Sequence, residues 1–208
     1  YFLFIFICIN VLILVSGKSW IYKGISITYL KGHTSSYIHD FVYFPSKIIK
    51  KGKHQEWLIS KNYNKSELPE FIKTTNNILE TTAFLVIIND SIVFEEYYRG
   101  YSKDSASNSF SVAKSWVSTL VAIAVKEGHI ESLNQSISDF LPEYSTEKEK
   151  RITIKHLLTM SSGLNWKESY YNPIGKTAEA YYGTNLKKLV LGLKSIEKPG
   201  KVFKYHSC

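Results

Sequence analysis

Asn108-Ser109-Phe110-Ser111-Val112-Ala113-Lys114-Ser115 opens an apolar run that continues to Lys126. Ser111 and Lys114 form a Ser-x-x-Lys tetrad, and on a helix residues three apart share a face. The amine then lies within reach of the hydroxyl, which makes a nucleophile beside its base. The tetrad by itself is short, since it recurs at Ser145 to Lys148 and at Ser195 to Lys198. The helix behind the first copy sets it apart. Trp116, Val117, Leu120, Val121, Ala124 and Val125 recur at helical spacing, Val112, Ala122 and Ile123 fill much of the remaining circumference, and Glu127-Gly128 supplies a C-terminal stop. A helix apolar nearly all round is expected to be buried, which would put Lys114 inside the domain. Burial would serve the chemistry. A free lysine titrates near ~10.4 and a useful general base near roughly 7 to 8, so desolvation has to lower it by about 2 to 3 units. The positive end of the helix pushes the same way, and its free backbone N–H groups offer a donor to an oxyanion. The plainer alternative is an N-cap serine followed by a lysine that snorkels to solvent.

Outward from this stretch the chain alternates strand, helix and turn signals. Ala83 to Ile88 and Ser91 to Tyr98 are β-rich runs joined by Asn89-Asp90, which predicts a hairpin. A polar loop from Gly100 to Ser109 leads into the Ser111 helix, so helices packed on an antiparallel sheet are expected. Downstream, Leu133 to Pro142 reads as a turn with a short helix, and Thr153 caps a helix that reaches Met160 and is stopped by Ser161-Ser162-Gly163. The loop from Leu164 to Tyr182 is rich in Tyr and Trp, the composition of a binding rim. Leu186 to Leu193 reads as a short amphipathic helix, and Pro199-Gly200 turns the chain into Val202-Phe203-Lys204-Tyr205. Gly24 to Asn76 is polar and aromatic with a strand-like run from Ile25 to Leu30, and it carries no assignable chemistry. His33 and His39 lack carboxylates or cysteines spaced for a shared metal.

With 208 residues and 44% hydrophobic residues, the composition is that of an ordinary globular protein. The net charge of +8 raises nucleic acid as a partner, but the basic residues are dispersed and carry no nucleic-acid motif. Their densest run, Lys47, Lys50, Lys51 and Lys53, reads as a solvated loop. The two cysteines, Cys8 and Cys208, rule out a disulfide framework and have no neighbours for a metal site. Tyr1 to Val15 is apolar apart from Asn10, short of the ~20 residues that span a bilayer. It reads as a signal anchor, or as a signal peptide cut after Gly17, and the hydrophobic, basic continuation through Trp20-Ile21-Tyr22-Lys23 favours the anchor. A membrane-anchored protein with its catalytic part exported is therefore expected. The chain starts at Tyr1 and stops inside an unfinished motif, so it reads as a piece lacking both ends. The expected organisation is an anchor or signal over 1–16, a lead-in over 17–76 and the N-terminal part of a hydrolase domain over 77–208.

Three stretches in one order resemble the signatures of the serine β-lactamase and penicillin-binding-protein-like superfamily, and most closely its class C-like branch of esterases, D-amino-acid peptidases and 6-aminohexanoate-oligomer hydrolases. Phe110-Ser111-Val112-Ala113-Lys114-Ser115 is similar to the nucleophile motif. Ile152-Thr153-Ile154-Lys155-His156-Leu157-Leu158-Thr159-Met160-Ser161-Ser162-Gly163-Leu164 is similar to a long "T-I-x-H-L-L-T-x-x-S-G-L" stretch. Pro199-Gly200-Lys201-Val202-Phe203-Lys204-Tyr205-His206-Ser207 is similar to the segment that carries the second catalytic element.

The resemblance implies an α+β fold of the β-lactamase/transpeptidase type, an antiparallel sheet flanked by helices plus a helical subdomain, truncated at the C-terminus. It implies Ser111 as the acylated nucleophile, Lys114 as its proton acceptor and Tyr205 as the group that shuttles the proton onward. A phenol near pKa ~10 can serve once a neighbouring positive charge favours its phenolate. Ser207 stands where the β-lactamases usually have Asn, which leans away from lactam turnover and toward an ester or amide. Tyr170 matches a substrate-loop tyrosine of the oligomer hydrolases, and His156 reads as the pin of a turn. The third family element, a Lys or His followed by Thr or Ser and Gly, has no match and is expected beyond residue 208, so these 208 residues alone are expected to be inactive. The implied activity is a serine hydrolase acting through an acyl-enzyme on an ester, amide or peptide bond of a small substrate, with no cofactor, no metal and no nucleic acid. The competing reading is a cell-wall or ligand-binding relative that keeps the fold without the chemistry.

Overall fold

The computed structural model describes residues 1–50, 52–53 and 55–207. Lys51 of the basic run and Cys208 lie outside the described residues. The helices are α1 (Phe2–Val15), α2 (Trp20–Ile27), α3 (Glu70–Ile78), α4 (Ala113–Lys126), α5 (Ile154–Leu158), α6 (Lys176–Tyr182) and α7 (Leu186–Leu191), and the strands are β1 (Leu58–Ile59), β2 (Ala83–Ile88) and β3 (Ser91–Tyr97). The chain divides into two compact units, Phe44–Ser107 and Tyr1–Tyr43 together with the chain from Asn108 onward.

The unit Phe44–Ser107 holds the sheet, in the order β1-β3-β2. Asn89 and Asp90 both take left-handed backbone angles, φ 49° and 57°, as a two-residue type I′ turn requires. That turn pairs Ile88 with Ser91 and carries the antiparallel register to Ala83 opposite Tyr97. The hairpin expected from Asn89-Asp90 is therefore present. β1 joins it in parallel, Leu58 opposite Ser91, so the sheet is mixed rather than purely antiparallel. Asn64 braces β3 by accepting from the Glu95 N–H at 2.9 Å and donating to the Glu95 carbonyl at 2.9 Å.

In the other unit, the strand-like run Ile25 to Leu30 is corrected: Trp20–Ile27 is helical, and Tyr29–Lys31 is a 3-10 turn. Trp20, Gly24 and Ile27 fall on one helical face and are the buried residues of α2. Gly24 lets α6 come close, since a Cβ there would meet the Tyr182 ring at 3.2 Å, and Thr28 Oγ1 bonds the Tyr182 hydroxyl at 2.7 Å. Packing against Tyr182 outweighs the β propensity of Ile25 and Ile27. α1 buries no residue. Its one polar side chain, Asn10, donates to the Phe6 carbonyl at 2.7 Å and accepts from the Tyr22 hydroxyl at 2.6 Å. Among the described residues no single helix is long and apolar enough to cross a membrane. α1 and the segment Trp20–Lys31 have the length and composition together, but they are bent by 115°.

The largest departure from the sequence reading is α4. It ends as expected: Gly128 adopts φ 77°, its N–H donates to Val125 O and the His129 N–H to Ala124 O, a paired closure of the last turn. The helix is not buried, however. It has no buried residue, Trp116 is 70% exposed and Leu120 62%. Its principal packing partner is the 3-10 turn Phe110–Val112 that precedes it. Apolar periodicity records what a helix is able to bury, not what lies beside it.

The core sits downstream. Ile137, Tyr144, Ile152, Leu164, Trp166 and Leu193 form one buried cluster, with Leu141, Ala180, Leu189 and Leu191 packed against it. Short bridges draw these distant segments together, Ser136 with Thr153 and Leu164 with Ser195. Only glycine fits at Gly163, where φ is 74° and a Cβ would lie 2.4 Å from the Glu197 carbonyl. Trp166, fully buried, is the largest residue of the cluster. Trp166→Ala is expected to cost about 3 to 5 kcal/mol, the range for emptying an aromatic from a core. A urea midpoint lowered to match, with an unchanged slope, checks this; a midpoint equal to that of the parent protein contradicts it.

Candidate active site

The two signatures around Ser111 and Tyr205 are 94 residues apart in sequence and meet in space. Ser111 lies on the 3-10 turn Phe110–Val112, immediately before α4 rather than within it. The turn is strained, because Phe110 has φ 42°, a left-handed angle uncommon for a bulky side chain. A partly buried network centred on Asp40 holds the approach to it. Asp40, 2% exposed, accepts from the Tyr37 N–H at 2.8 Å and from the Tyr181 hydroxyl at 3.2 Å. The Asn108 side chain donates to Tyr37 O at 3.1 Å and to the Tyr181 hydroxyl at 3.0 Å, while its N–H donates to Ile38 O. The Tyr181 ring then stacks on Phe110, with ring centres 6.4 Å apart. Burial first, and Asp40 second, push the Tyr181 phenol up, so it stays a neutral donor.

The Tyr205 side is built on the capped helix α5. Thr153 Oγ1 accepts from the His156 N–H at 3.3 Å, and His156 Nδ1 accepts from the Thr153 N–H at 3.2 Å, a reciprocal cap. His156 therefore pins a turn, as its sequence position suggests. The residues that follow α5 seat the next motif: Gly200 N–H donates to Ser161 O at 2.8 Å and Lys204 N–H to Met160 O at 2.8 Å. At Gly200, φ is 79° and a Cβ would come within 2.9 Å of His156 Nε2, so this turn passes directly over the imidazole.

These supports leave three side chains in contact. Ser111 Oγ is 2.6 Å from the Tyr205 hydroxyl and accepts from Lys114 Nζ at 3.1 Å. Lys114 Nζ also stands 5.0 Å from the centre of the Tyr205 ring. The phenol is held below its ordinary value of 10, first by its bond to Ser111 and then by the Lys114 amine. Lys114 is half-buried and Ser111 exposed, which corrects the expectation of a lysine deep inside the domain. α4 has no buried residue, and Lys114 Nζ reaches the hydroxyl at hydrogen-bonding distance from its first turn.

The remaining two expected residues line a cleft of about 560 Å³ that also includes Ser111, Lys114, Asn108 and Tyr181. Tyr170 is 58% exposed on its rim. Ser207 lies in the lining with its hydroxyl already donated to Glu168 Oε1 at 2.8 Å, so toward a ligand Ser207 Oγ has acceptor capacity to offer. A second cavity, of about 650 Å³, lies among α2, α6 and α7 and contains none of the five. Among the described residues no three His, Cys, Asp or Glu side chains form a metal-binding group.

Sequence reasoning missed Glu168 and Asp40. Glu168 accepts from Trp166 Nε1 at 2.6 Å and from Ser207 N–H at 2.8 Å as well as from Ser207 Oγ. Its place as the acid between Trp166 and Tyr170 in the aromatic loop was the available signal. Asp40 had none, because its partners Tyr37, Asn108 and Tyr181 are scattered along the chain.

Known proteins resemble this chain. The beta-lactamase family model matches residues 74–208. A curated 6-aminohexanoate-dimer hydrolase from Paenarthrobacter ureafaciens is 28% identical over 93 residues, which cover 45% of this chain and 24% of that protein. A solved structure from Bacillus anthracis, provisionally described as a 6-aminohexanoate-dimer hydrolase, matches with a TM-score of 0.57 at 19% identity, over 73% of this chain and 45% of that one. The latter is a likeness of fold alone. The chain spans about a quarter of the length of the curated relative and less than half of the solved one.

Proposed function

The chain belongs to the beta-lactamase family, and from that premise we propose that its site is a serine hydrolase centre working through an acyl-enzyme on an ester, amide or peptide bond of a small substrate. The observation that carries this reading is the three-way contact of Ser111 Oγ with the Tyr205 hydroxyl at 2.6 Å and Lys114 Nζ at 3.1 Å. Ser111 Oγ attacks the substrate carbonyl carbon as its proton passes to Lys114. The carbonyl π electrons move to oxygen, forming a tetrahedral oxyanion. Collapse re-forms the carbonyl and breaks the bond to the leaving amine or alcohol. That group departs with a proton handed on through Tyr205. Water then attacks the ester on Ser111 as the Tyr205 phenol passes its own proton to Lys114 and takes one from the water. Collapse breaks the acyl–Oγ bond, Ser111 Oγ recovers a proton from Tyr205, and Lys114 returns its proton to the phenolate, which leaves the acid and the free serine.

The phenol suits both steps, because its lowered pKa brings the proton donor and acceptor forms closer together near neutral pH. Ser207 in the lining, with its O–H turned to Glu168, favours linear esters and amides over lactams in this reading. A panel of a short-chain nitrophenyl ester, a linear 6-aminohexanoate amide and nitrocefin, run on the protein with its natural ends, tests it. A stoichiometric burst of nitrophenol, followed by slower turnover, is expected with the ester. Absence of any hydrolysis and any burst across the panel contradicts the proposal and favours a ligand-binding relative.

A further inference from the structure

Three donors, one from Trp166 in the same loop and two from Ser207 on a remote segment, converge on one carboxylate, Glu168, just outside the contact of Ser111, Lys114 and Tyr205. We propose that Glu168 is the positioning residue of this site, locking the Tyr205 segment to the buried core and keeping a negative charge near the phenol. The inference rests on the reading of Ser111 as the nucleophile and Tyr205 as its proton shuttle.

Trp166 is fully buried, so its indole N–H needs an acceptor within the protein, and Glu168 Oε2 supplies it at 2.6 Å. The same oxygen takes the Ser207 N–H at 2.8 Å, and Oε1 takes the Ser207 hydroxyl at 2.8 Å. The carboxylate is thus fixed at one end to the core and grips at the other a residue two positions past Tyr205. Between them His206 is 6% exposed, while Tyr205 and Ser207 on either side are exposed, an alternation that puts both on the open side of the segment. With Ser207 gripped and His206 buried, the Tyr205 ring has its backbone held from the C-terminal side, as Lys204 N–H to Met160 O holds it from the other. Electrostatically, Glu168 opposes Ser111 and Lys114 by raising the phenol that they lower.

Two substitutions separate the grip from the charge. Glu168→Gln can keep all three bonds, with its carbonyl oxygen accepting from Trp166 and the Ser207 N–H and its amide donating to Ser207 Oγ, but it removes the charge. Glu168→Ala removes both. The readout is the second-order rate of Ser111 labelling by a fluorophosphonate probe, followed across neutral to alkaline pH in the full chain. For E168Q the plateau rate is expected to stay near that of the parent protein while the acid limb moves to lower pH, because the Ser111 proton is taken up by a relay that ends on Tyr205, and a phenol freed of a neighbouring anion gives up its own proton more easily. For E168A the plateau is expected to fall by about 10 to 100-fold, the scale of a displaced reacting group. An E168Q profile superimposable on the parent profile overturns the proposal, whether or not E168A folds, and so does a folded E168A labelled at the parent rate. A parent protein that takes up no probe at all is a different failure: it removes the nucleophile assignment, and this inference with it.

Discussion

Ser111→Ala is expected to lower turnover by about 10⁶-fold, to the level of residual binding and oxyanion contacts, with no loss of stability. Removing a nucleophile that acts as a unit with its base typically has an effect of that size. The stability half follows from position: Ser111 is exposed, and the change deletes one hydroxyl from a surface turn. Alanine also suits the helical geometry that follows, so the strained Phe110 and the network of Asp40, Asn108 and Tyr181 behind it have no reason to move. Comparing kcat/KM on the ester for the two proteins, together with their thermal melts, checks both halves. A folded variant with turnover within tenfold of the parent would mean that another group carries the acyl chain.

The second large effect belongs to Lys114. Lys114→Met keeps the length and apolar stem of the side chain and deletes the amine that Ser111 Oγ accepts from at 3.1 Å. The expected loss is about 10² to 10⁴-fold in the acylation rate, the usual contribution of a positioned general base. It carries a pH signature. Lys114 is the second cause, after the Ser111 bond, of the lowered Tyr205 phenol. Deleting the amine lets that phenol rise toward its ordinary value of 10, so residual activity should climb with pH through a limb lying higher than in the parent protein. Stopped-flow acylation across alkaline pH reads this. A K114M protein with the parent rate and the parent limb would assign proton removal to some other group.

Much of this arrangement could be read from the chain because it is local. The Asn89-Asp90 turn, the Thr153 and His156 cap and the Gly128 closure each depend on residues within a few positions of one another, and each is present. The meeting of Ser111 with Tyr205 is not local, and spacing alone could not reveal it. It came from a resemblance that fixed both residues together, and the geometry joins them. What failed depended on surroundings. The apolar circumference of α4 implied burial, yet burial is a property of neighbours, and α4 has no buried residue. The β-branched residues from Ile25 onward implied a strand, yet Trp20, Gly24 and Ile27 share a helical face that seats Tyr182. Glu168 and Asp40 were missed for a related reason: each joins a donor from its own turn, Trp166 or Tyr37, to one from a remote segment, Ser207 or Tyr181, and the remote half of the pair leaves no trace in the local sequence.

The central claim is that Ser111 forms the covalent bond, driven by a lysine and a tyrosine that touch its oxygen. Its most direct test is to quench the protein in acid during the ester burst, digest it and locate the acyl group by mass. The account predicts one acyl equivalent, carried on the peptide that contains Ser111. An acyl group found on any other residue, or ester turnover with no acylated peptide at the quench, would contradict it.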